Sequence, residues 1–96
     1  MPTYVALLRG INILGRNSLP MQELRQLCEA EGCREVRTYI QSGNVVFRSP
    51  AQVARRLPAR VTAAVGRMRG FEPRVLVITL AELQRAAAGN PFAEAD

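Results

Sequence analysis

The chain has 96 residues, of which 48% are hydrophobic, and a formal net charge of +5. This length supports one domain with one modest core, and no apolar run approaches the roughly 20 residues that a membrane-spanning helix needs. A signal peptide is not expected, because Arg9 and Gly10 interrupt the only apolar segment near the N-terminus. We therefore expect a single-domain cytoplasmic protein without a membrane partner.

The first two elements are predicted to be a strand and a helix joined by a loop. Residues 3–9 form a short, almost entirely apolar run that is typical of a buried strand. Residues 10–17 are predicted to form the loop, after which Ser18 is expected to cap the helix. The helix is predicted to end at Gly32, a residue suited to a left-handed C-terminal position.

The strongest local signal is a β-hairpin with strands at 35–41 and 44–48. Both runs are rich in β-branched and aromatic residues, and they flank a Ser-Gly-Asn turn sequence that supplies positive φ. Because side chains alternate along a strand, a two-residue turn places Val45 and Phe47 on the same face as Ile40. A three-residue turn would reverse this assignment.

A second helix is predicted from Ser49 at the cap and Pro50 at the first helical position, and it runs to Gly70. Its apolar stripe is expected to reach Met68. Pro58 lies inside this helix, where it removes one backbone hydrogen bond and costs about 3 kcal/mol if the helix runs straight through. We therefore expect a kink or a break at Pro58.

The last elements are a strand and a short helix. Residues 74–79 form another β-rich run and predict the fourth strand. Thr79 and Glu82 have the spacing of a capping box, which predicts a final helix that stops at Gly89. A turn is expected at residues 90–92.

The predicted order β-α-β-β-α-β-α begins with the split β-α-β arrangement of ferredoxin-like α+β domains. With right-handed crossovers the sheet is antiparallel, its strand order is 4-1-3-2, and both main helices lie on one face. We therefore predict that residues 1–96 form a single ferredoxin-like domain, a two-layer sandwich with a short C-terminal helix.

One face of this sheet is left without helices, yet the strand at 74–79 is apolar on both sides. The residues on the bare face are expected to be either Leu76, Ile78 and Leu80 or Val75, Val77 and Thr79. An exposed apolar patch of several hundred square ångströms usually marks an interface. The sequence therefore predicts that another folded unit covers this face.

Four segments of the chain are distinctive: residues 8–12 (Leu-Arg-Gly-Ile-Asn), 19–21 (Leu-Pro-Met), 37–45 (Arg-Thr-Tyr-Ile-Gln-Ser-Gly-Asn-Val) and 90–92 (Asn-Pro-Phe). Together they resemble an uncharacterised bacterial family, the domain-of-unknown-function family numbered 1697, over essentially the whole chain. The resemblance implies two tandem ferredoxin-like halves, of which this chain is the N-terminal one, and it implies no established activity. The expected partner on the bare face is then the missing C-terminal half or a second copy of the chain.

One polar edge is a candidate ligand site. In the predicted sheet the first strand ends beside the hairpin turn and the N-terminus of the first helix, which favours anions. The candidate residues for a small anion are Arg9, Gly10, Asn12, Gln41, Ser42, Gly43 and Asn44. Arg9 is able to bind a phosphate or carboxylate through two hydrogen bonds. The simpler interpretation, which stays open, is that these amides only tie the loops together.

Two other functions remain as alternatives to a binding or assembly module. The first is a weak RNA-binding module that uses the bare sheet face and the arginine-rich second helix; it needs aromatic residues on that face, where Tyr39 and Tyr4 are the candidates. Nucleic acid is not the preferred partner, because most of the arginines are scattered along the sequence. The second alternative is half of an enzyme that the missing half completes.

The residue inventory argues against catalysis by this chain alone. All 13 basic residues are arginine, and the sequence contains neither histidine nor lysine. It therefore lacks the usual base for a serine nucleophile and any Schiff-base residue. Cys28 and Cys33 cannot complete a tetrahedral zinc site without further ligands; Cys28 is expected to be a buried inert thiol and Cys33 to be partly exposed. We favour a non-enzymatic module and expect no metal or cofactor.

Overall fold

The computed structural model describes residues 1–12, 15–39 and 43–89. The elements are β1 (Thr3–Arg9), α1 (Met21–Ala30), β2 (Arg34–Tyr39), β3 (Asn44–Arg48), α2 (Ala51–Arg69), β4 (Arg74–Thr79) and α3 (Leu80–Gly89). The four strands form one sheet in the order β2-β3-β1-β4, which is 4-1-3-2 when read from the β4 edge, and all neighbours are antiparallel. The predicted α+β class with a four-stranded antiparallel sheet is confirmed.

The core lies between one face of the sheet and the helices α1 and α2. Residues that pair directly across two strands lie on the same face of a sheet. Tyr4 pairs with Phe47, and Ala6 pairs with Val45; all four belong to the buried core together with apolar residues of both helices. Val45 also pairs with Thr38. Val45 and Phe47 therefore lie on the core face together with Thr38, whereas Ile40, the residue to which the prediction refers, lies outside the described residues.

The opposite face of the sheet, which we call the open face, carries no residue of α1 or α2. Its members are Thr3, Val5, Leu7 and Arg9 of β1, Arg34, Arg37 and Tyr39 of β2, Asn44, Val46 and Arg48 of β3, and Arg74, Leu76 and Ile78 of β4. The exposed apolar surface is uneven across it. Leu76 is 58% exposed and Tyr39 is 49% exposed, whereas Val5, flanked by Val46 and Ile78, is only 1% exposed. The apolar surface that faces solvent is therefore concentrated at the end of the sheet that holds Leu76 and Tyr39.

Both main helices begin after a proline, and the predicted serine caps are wrong. Pro20 precedes α1 with φ −59° and Pro50 precedes α2 with φ −62°, and no side chain caps either helix. The proline ring fixes φ near this value, so the proline occupies the last residue before the helix. Ser18 is consequently too early to cap α1. Ser49 is fully buried and its hydroxyl donates to the carbonyl of Pro50 at 3.0 Å.

Helix α2 continues through Pro58, so of the two predicted outcomes the break is wrong and the kink stays a prediction. Leu57 and Val61, on either side of the proline, are 0% and 2% exposed. Burying one such side chain contributes about 1.5–3 kcal/mol, which offsets the cost of the lost helical hydrogen bond. The stripe stops short of Met68, which is 51% exposed. The helix ends at Gly70, whose φ of +79° is left-handed.

Strand β2 and the N-terminus complete the framework. The register between β2 and β3 shifts between Arg34 and Arg37, where Glu35 has a φ of +51°. Glu35 accepts a hydrogen bond from Arg48 at 3.0 Å, and Arg48 also donates to the Met1 carbonyl at 3.1 and 3.3 Å. Within the described parts of the chain, no helix combines the length and the apolar character needed to cross a membrane.

Candidate functional site

The end of β1 lies beside the start of β3, as the sequence predicts. The N–H of Leu8 donates to the carbonyl of Gly43 at 2.9 Å, and Leu7 pairs directly with Asn44. Gly43 and Asn44 are thus neighbours of the strand that ends at Arg9. Gln41 and Ser42, the other predicted site residues of the hairpin, lie outside the described residues.

Asn12 ties the loop after β1 to the start of α1. Its side-chain amide donates to the carbonyl of Leu19 at 3.1 Å, and its side-chain oxygen accepts from the N–H of Leu19 at 2.8 Å. Leu19 is 1% exposed, so these two hydrogen bonds satisfy the backbone N–H and carbonyl of a buried residue. The amide of Asn12 is therefore committed to the loop, and the loop-tying interpretation holds for this residue.

The carbonyl of Gly10 is also used within the loop. Asn17, which the sequence analysis does not single out, donates its side-chain amide to the Gly10 carbonyl at 2.9 Å, and its own carbonyl accepts from the N–H of Asn12 at 2.9 Å. Asn12 and Asn17 both have left-handed φ values, +51° and +52°, which asparagine tolerates better than most residues. Two asparagines in the loop after a strand are the sequence signal for these hydrogen bonds. The partners themselves are five to seven residues away, so the residue types alone do not identify them.

Gly43 has a structural reason to be glycine. A Cβ at this position would lie 2.8 Å from the carbonyl oxygen of Leu8, and its φ is +63°. The hairpin therefore approaches β1 as closely as the backbone allows, which accounts for this glycine without a ligand.

Arg9 lies opposite a second arginine. It pairs directly with Arg74, the first residue of β4, so both lie on the open face. The two arginines, with Leu7, Thr62, Pro73, Val75 and Leu76, line a surface cavity of about 590 Å³, which we call the arginine groove. Arg74 is the residue that the sequence analysis missed. The sequence does carry a signal for this pair. The first predicted strand ends with Arg9 and the fourth begins with Arg74, and the two ends meet if these strands are antiparallel neighbours.

One wall of the groove, at the edge of β4, is held by a contact between α2 and the chain before β4. Thr62 donates its hydroxyl to the carbonyl of Pro73 at 3.0 Å. This bond fixes Pro73, and with it the adjacent Arg74, relative to the helix. The groove is therefore built from three regular elements, β1, β4 and α2.

Four acidic residues of the described part of the chain form ion pairs away from the groove. These ion pairs are Arg25 with Glu29, Arg48 with Glu35, Arg60 with Glu31 and Arg69 with Glu23. None of them includes Arg9 or Arg74, so the groove carries two positive charges without an acidic partner among the described residues. Two arginines of α2, Arg60 and Arg69, are paired with carboxylates, which makes that helix less suited to binding the phosphates of a nucleic acid.

The two cysteines pack together at the end of α1. Cys28 is 1% exposed, as predicted, but Cys33 is 4% exposed, and its predicted partial exposure is wrong. The cause is Gly32, whose φ of +107° turns the chain so that the N–H of Cys33 donates to the Cys28 carbonyl at 3.0 Å. A hydrogen bond to Cys33, together with burial, raises the pKa of the Cys28 thiol. Among the described residues, no three His, Cys, Asp or Glu side chains cluster as a metal site.

The aromatic residues are mostly on the core side. Tyr4 stacks on Phe47 with ring centroids 5.7 Å apart, and both are buried. Tyr39 is thus the one aromatic residue on the described open face. One stacked base contributes about 1–3 kcal/mol, so this face offers little to single-stranded RNA.

Comparison with known proteins finds one matching family and a similar solved structure. A family model described as a protein of unknown function, DUF1697, matches residues 1–96. The solved structure of a conserved bacterial protein from Streptococcus pneumoniae is 30% identical, with a TM-score of 0.70. The match covers 95% of this chain and 49% of the pneumococcal chain, so this chain spans about half the length of that protein. A search of curated proteins finds no match.

Proposed function

The chain belongs to the DUF1697 family of proteins of unknown function, and from this premise we propose that it is a non-enzymatic binding and assembly module. Its fold is ferredoxin-like, a proposal supported by the strand order β2-β3-β1-β4 and by the two main helices on one face. Its open face packs against the second half of a longer protein, and its Arg9 edge binds a small anion.

The observation that carries the docking part is the exposure of Leu76. This residue lies in the middle of β4, on the face without α1 and α2, and it is 58% exposed. Tyr39, on the opposite edge strand of the same face, is 49% exposed. Large apolar side chains grouped on one face of a sheet are typical of an interface.

Length and charge support a second half over a second copy as the occupant. The pneumococcal protein contains about as much chain outside the match as inside it. The open face also carries five arginines, Arg9, Arg34, Arg37, Arg48 and Arg74. Stacking two copies through this face would bring these charges against one another, which disfavours a symmetric dimer.

The test uses the 96-residue chain, sedimentation velocity and an apolar fluorescent dye. We expect a monomer that binds the dye, and we expect Leu76→Ser to lower dye binding severalfold. Met68→Ser is the matched control, because Met68 is 51% exposed but lies on α2, and it should leave the dye signal on the sheet unchanged.

Two outcomes would contradict the docking proposal. A monomer that binds no dye would remove the docking face. A concentration-dependent dimer that Leu76→Ser abolishes would assign the face to a second copy of the chain and overturn the second-half proposal.

A further inference from the structure

We infer that Arg9 and Arg74 together bind a small amphiphilic oxyanion, a phosphate or carboxylate group carried on a short apolar chain. This inference deepens the anion-binding part of the proposed function and rests on it. It does not require a second half, although Leu76 belongs both to the groove and to the docking surface. The second cation of the site is Arg74, and the side-chain amide of Asn12, which is bonded to Leu19, is not a ligand.

The first argument is the direct opposition of two positive charges. Like charges at directly opposed positions of two strands destabilise a sheet. The register holds Arg9 opposite Arg74, and the described residues supply no carboxylate to either. An oxyanion that contacts both guanidinium groups removes this repulsion.

A second arginine pair in the same sheet shows how the chain treats such an opposition elsewhere. Arg34 pairs with Arg48 across β2 and β3. There, Arg48 donates to Glu35 at 3.0 Å and to the Met1 carbonyl at 3.1 Å. The chain thus supplies its own acceptors to Arg48, whereas the pair of Arg9 and Arg74 lacks them among the described residues.

The second argument is the apolar floor beside the two charges. Leu7 and Leu76 are directly opposed in the register, two residues along each strand from Arg9 and Arg74 on the same face. Both leucines line the arginine groove. A cavity of about 590 Å³ is within the range of small-molecule sites. The ligand therefore combines a charged head with an apolar arm of a few carbons.

The test is a titration of the 96-residue chain with hexyl phosphate, followed by backbone amide chemical shifts. We expect saturable shifts at residues of β1 and β4 around the groove. Arg9→Gln and Arg74→Gln should each weaken binding about tenfold, the loss of one charge-assisted hydrogen-bonding group. Arg34→Gln is the matched control, an arginine of the other opposed pair, and it should leave the affinity unchanged.

Two further probes separate the head group from the arm. Hexanoate tests the carboxylate head, and inorganic phosphate tests the head alone. Binding of hexyl phosphate or hexanoate with a tighter dissociation constant than inorganic phosphate supports the site, and the tighter of the two identifies the head. If inorganic phosphate and hexyl phosphate bind with equal affinity, the claim that the groove binds an apolar chain is wrong.

The inference as a whole fails if no probe saturates below about 10 mM. It also fails if Arg34→Gln weakens binding as much as the two groove variants. These failures are distinct from those of docking. Dye binding that depends on Leu76 without any anion response leaves docking intact, and an anion response that depends on Arg9 and Arg74 without dye binding leaves the site intact.

Discussion

Thr79 and Glu82 hydrogen-bond to each other across the first turn of α3. The N–H of Glu82 donates to the hydroxyl of Thr79 at 3.0 Å, and the N–H of Thr79 donates to a carboxylate oxygen of Glu82 at 2.8 Å. This reciprocal pair is the capping box that the sequence predicts, and it satisfies two backbone donors at the junction of β4 and α3.

The Thr79 and Glu82 pair should make α3 sensitive to acid. The hydrogen bond from the backbone N–H of Thr79 is the main cause that lowers the pKa of Glu82 below its ordinary value of 4.5. A carboxyl with a lowered folded-state pKa stabilises the fold fully above its ordinary pKa and loses that contribution as the pH falls through the folded value. We expect a carboxyl titration by NMR to find Glu82 below 4.5, and Thr79→Ala to move it only part of the way back. Glu82 titrating at its ordinary value in the native chain would contradict this prediction.

Replacing Asn12 should destabilise the fold. Asn12→Ala leaves the backbone N–H and carbonyl of Leu19 without their partners, and we expect a loss of about 1–3 kcal/mol in the free energy of unfolding by urea. Asn12→Asp keeps the acceptor and loses the donor, so its loss should be intermediate.

Asn17→Ala is the matched control for Asn12→Ala. Asn17 has the same left-handed φ and also donates its amide to a carbonyl, but that bond is exposed. Its replacement should therefore cost less. Equal losses in the two variants would show that backbone strain, and not the buried pair with Leu19, accounts for the effect.

Two glycines of the predicted site should respond differently to alanine. Gly10 has a φ of +84° and open space where a Cβ would lie, so Gly10→Ala should cost only the left-handed strain of about 1–2 kcal/mol. Gly43→Ala adds a clash with the Leu8 carbonyl and should cost at least about 1 kcal/mol more. Urea unfolding of both variants measures the difference. Equal stability would mean that the hairpin moves away from β1 without cost.

Removing Pro58 should stabilise α2. Pro58→Ala restores a backbone donor inside a continuous helix, and we expect a gain of about 1–3 kcal/mol in the free energy of unfolding. Ala59→Gly, one residue further along the exposed side, is the control and should cost about 1 kcal/mol. A loss of stability in Pro58→Ala would show that the restriction of the unfolded chain by proline outweighs its cost in the helix.

The local patterns of the sequence predicted most of the fold. Alternation along β3 was enough to place Val45 and Phe47 on one face together, although the turn length left open which face, and the spacing of Thr79 and Glu82 was enough to predict the capping box. The predicted serine caps were wrong because the proline that follows each serine is itself the last residue before the helix. Residue propensities do not locate the first helical residue this finely. Local patterning also gave no estimate of how much apolar surface α2 buries, and this burial offsets the cost of Pro58 inside the helix.

The candidate site was harder to predict because its contacts are non-local. The partner of Asn12 is the backbone of Leu19, and nothing in the residue types distinguishes that bond from a ligand contact. Arg74 stands 65 positions after Arg9 along the chain, and only the register of β1 with β4 brings them together. The residue types pointed to Arg9 but gave no sign of Arg74 as its neighbour.

The pairing of Tyr4 with Thr79 has a practical consequence for engineering. The start of β1 and the end of β4 are adjacent strand ends, separated by about 5 Å. A guest domain whose entry and exit points lie so close together is suited to insertion into a surface loop of a host protein. The four-stranded unit is therefore a candidate for grafting between two strands of a host hairpin without opening the host sheet.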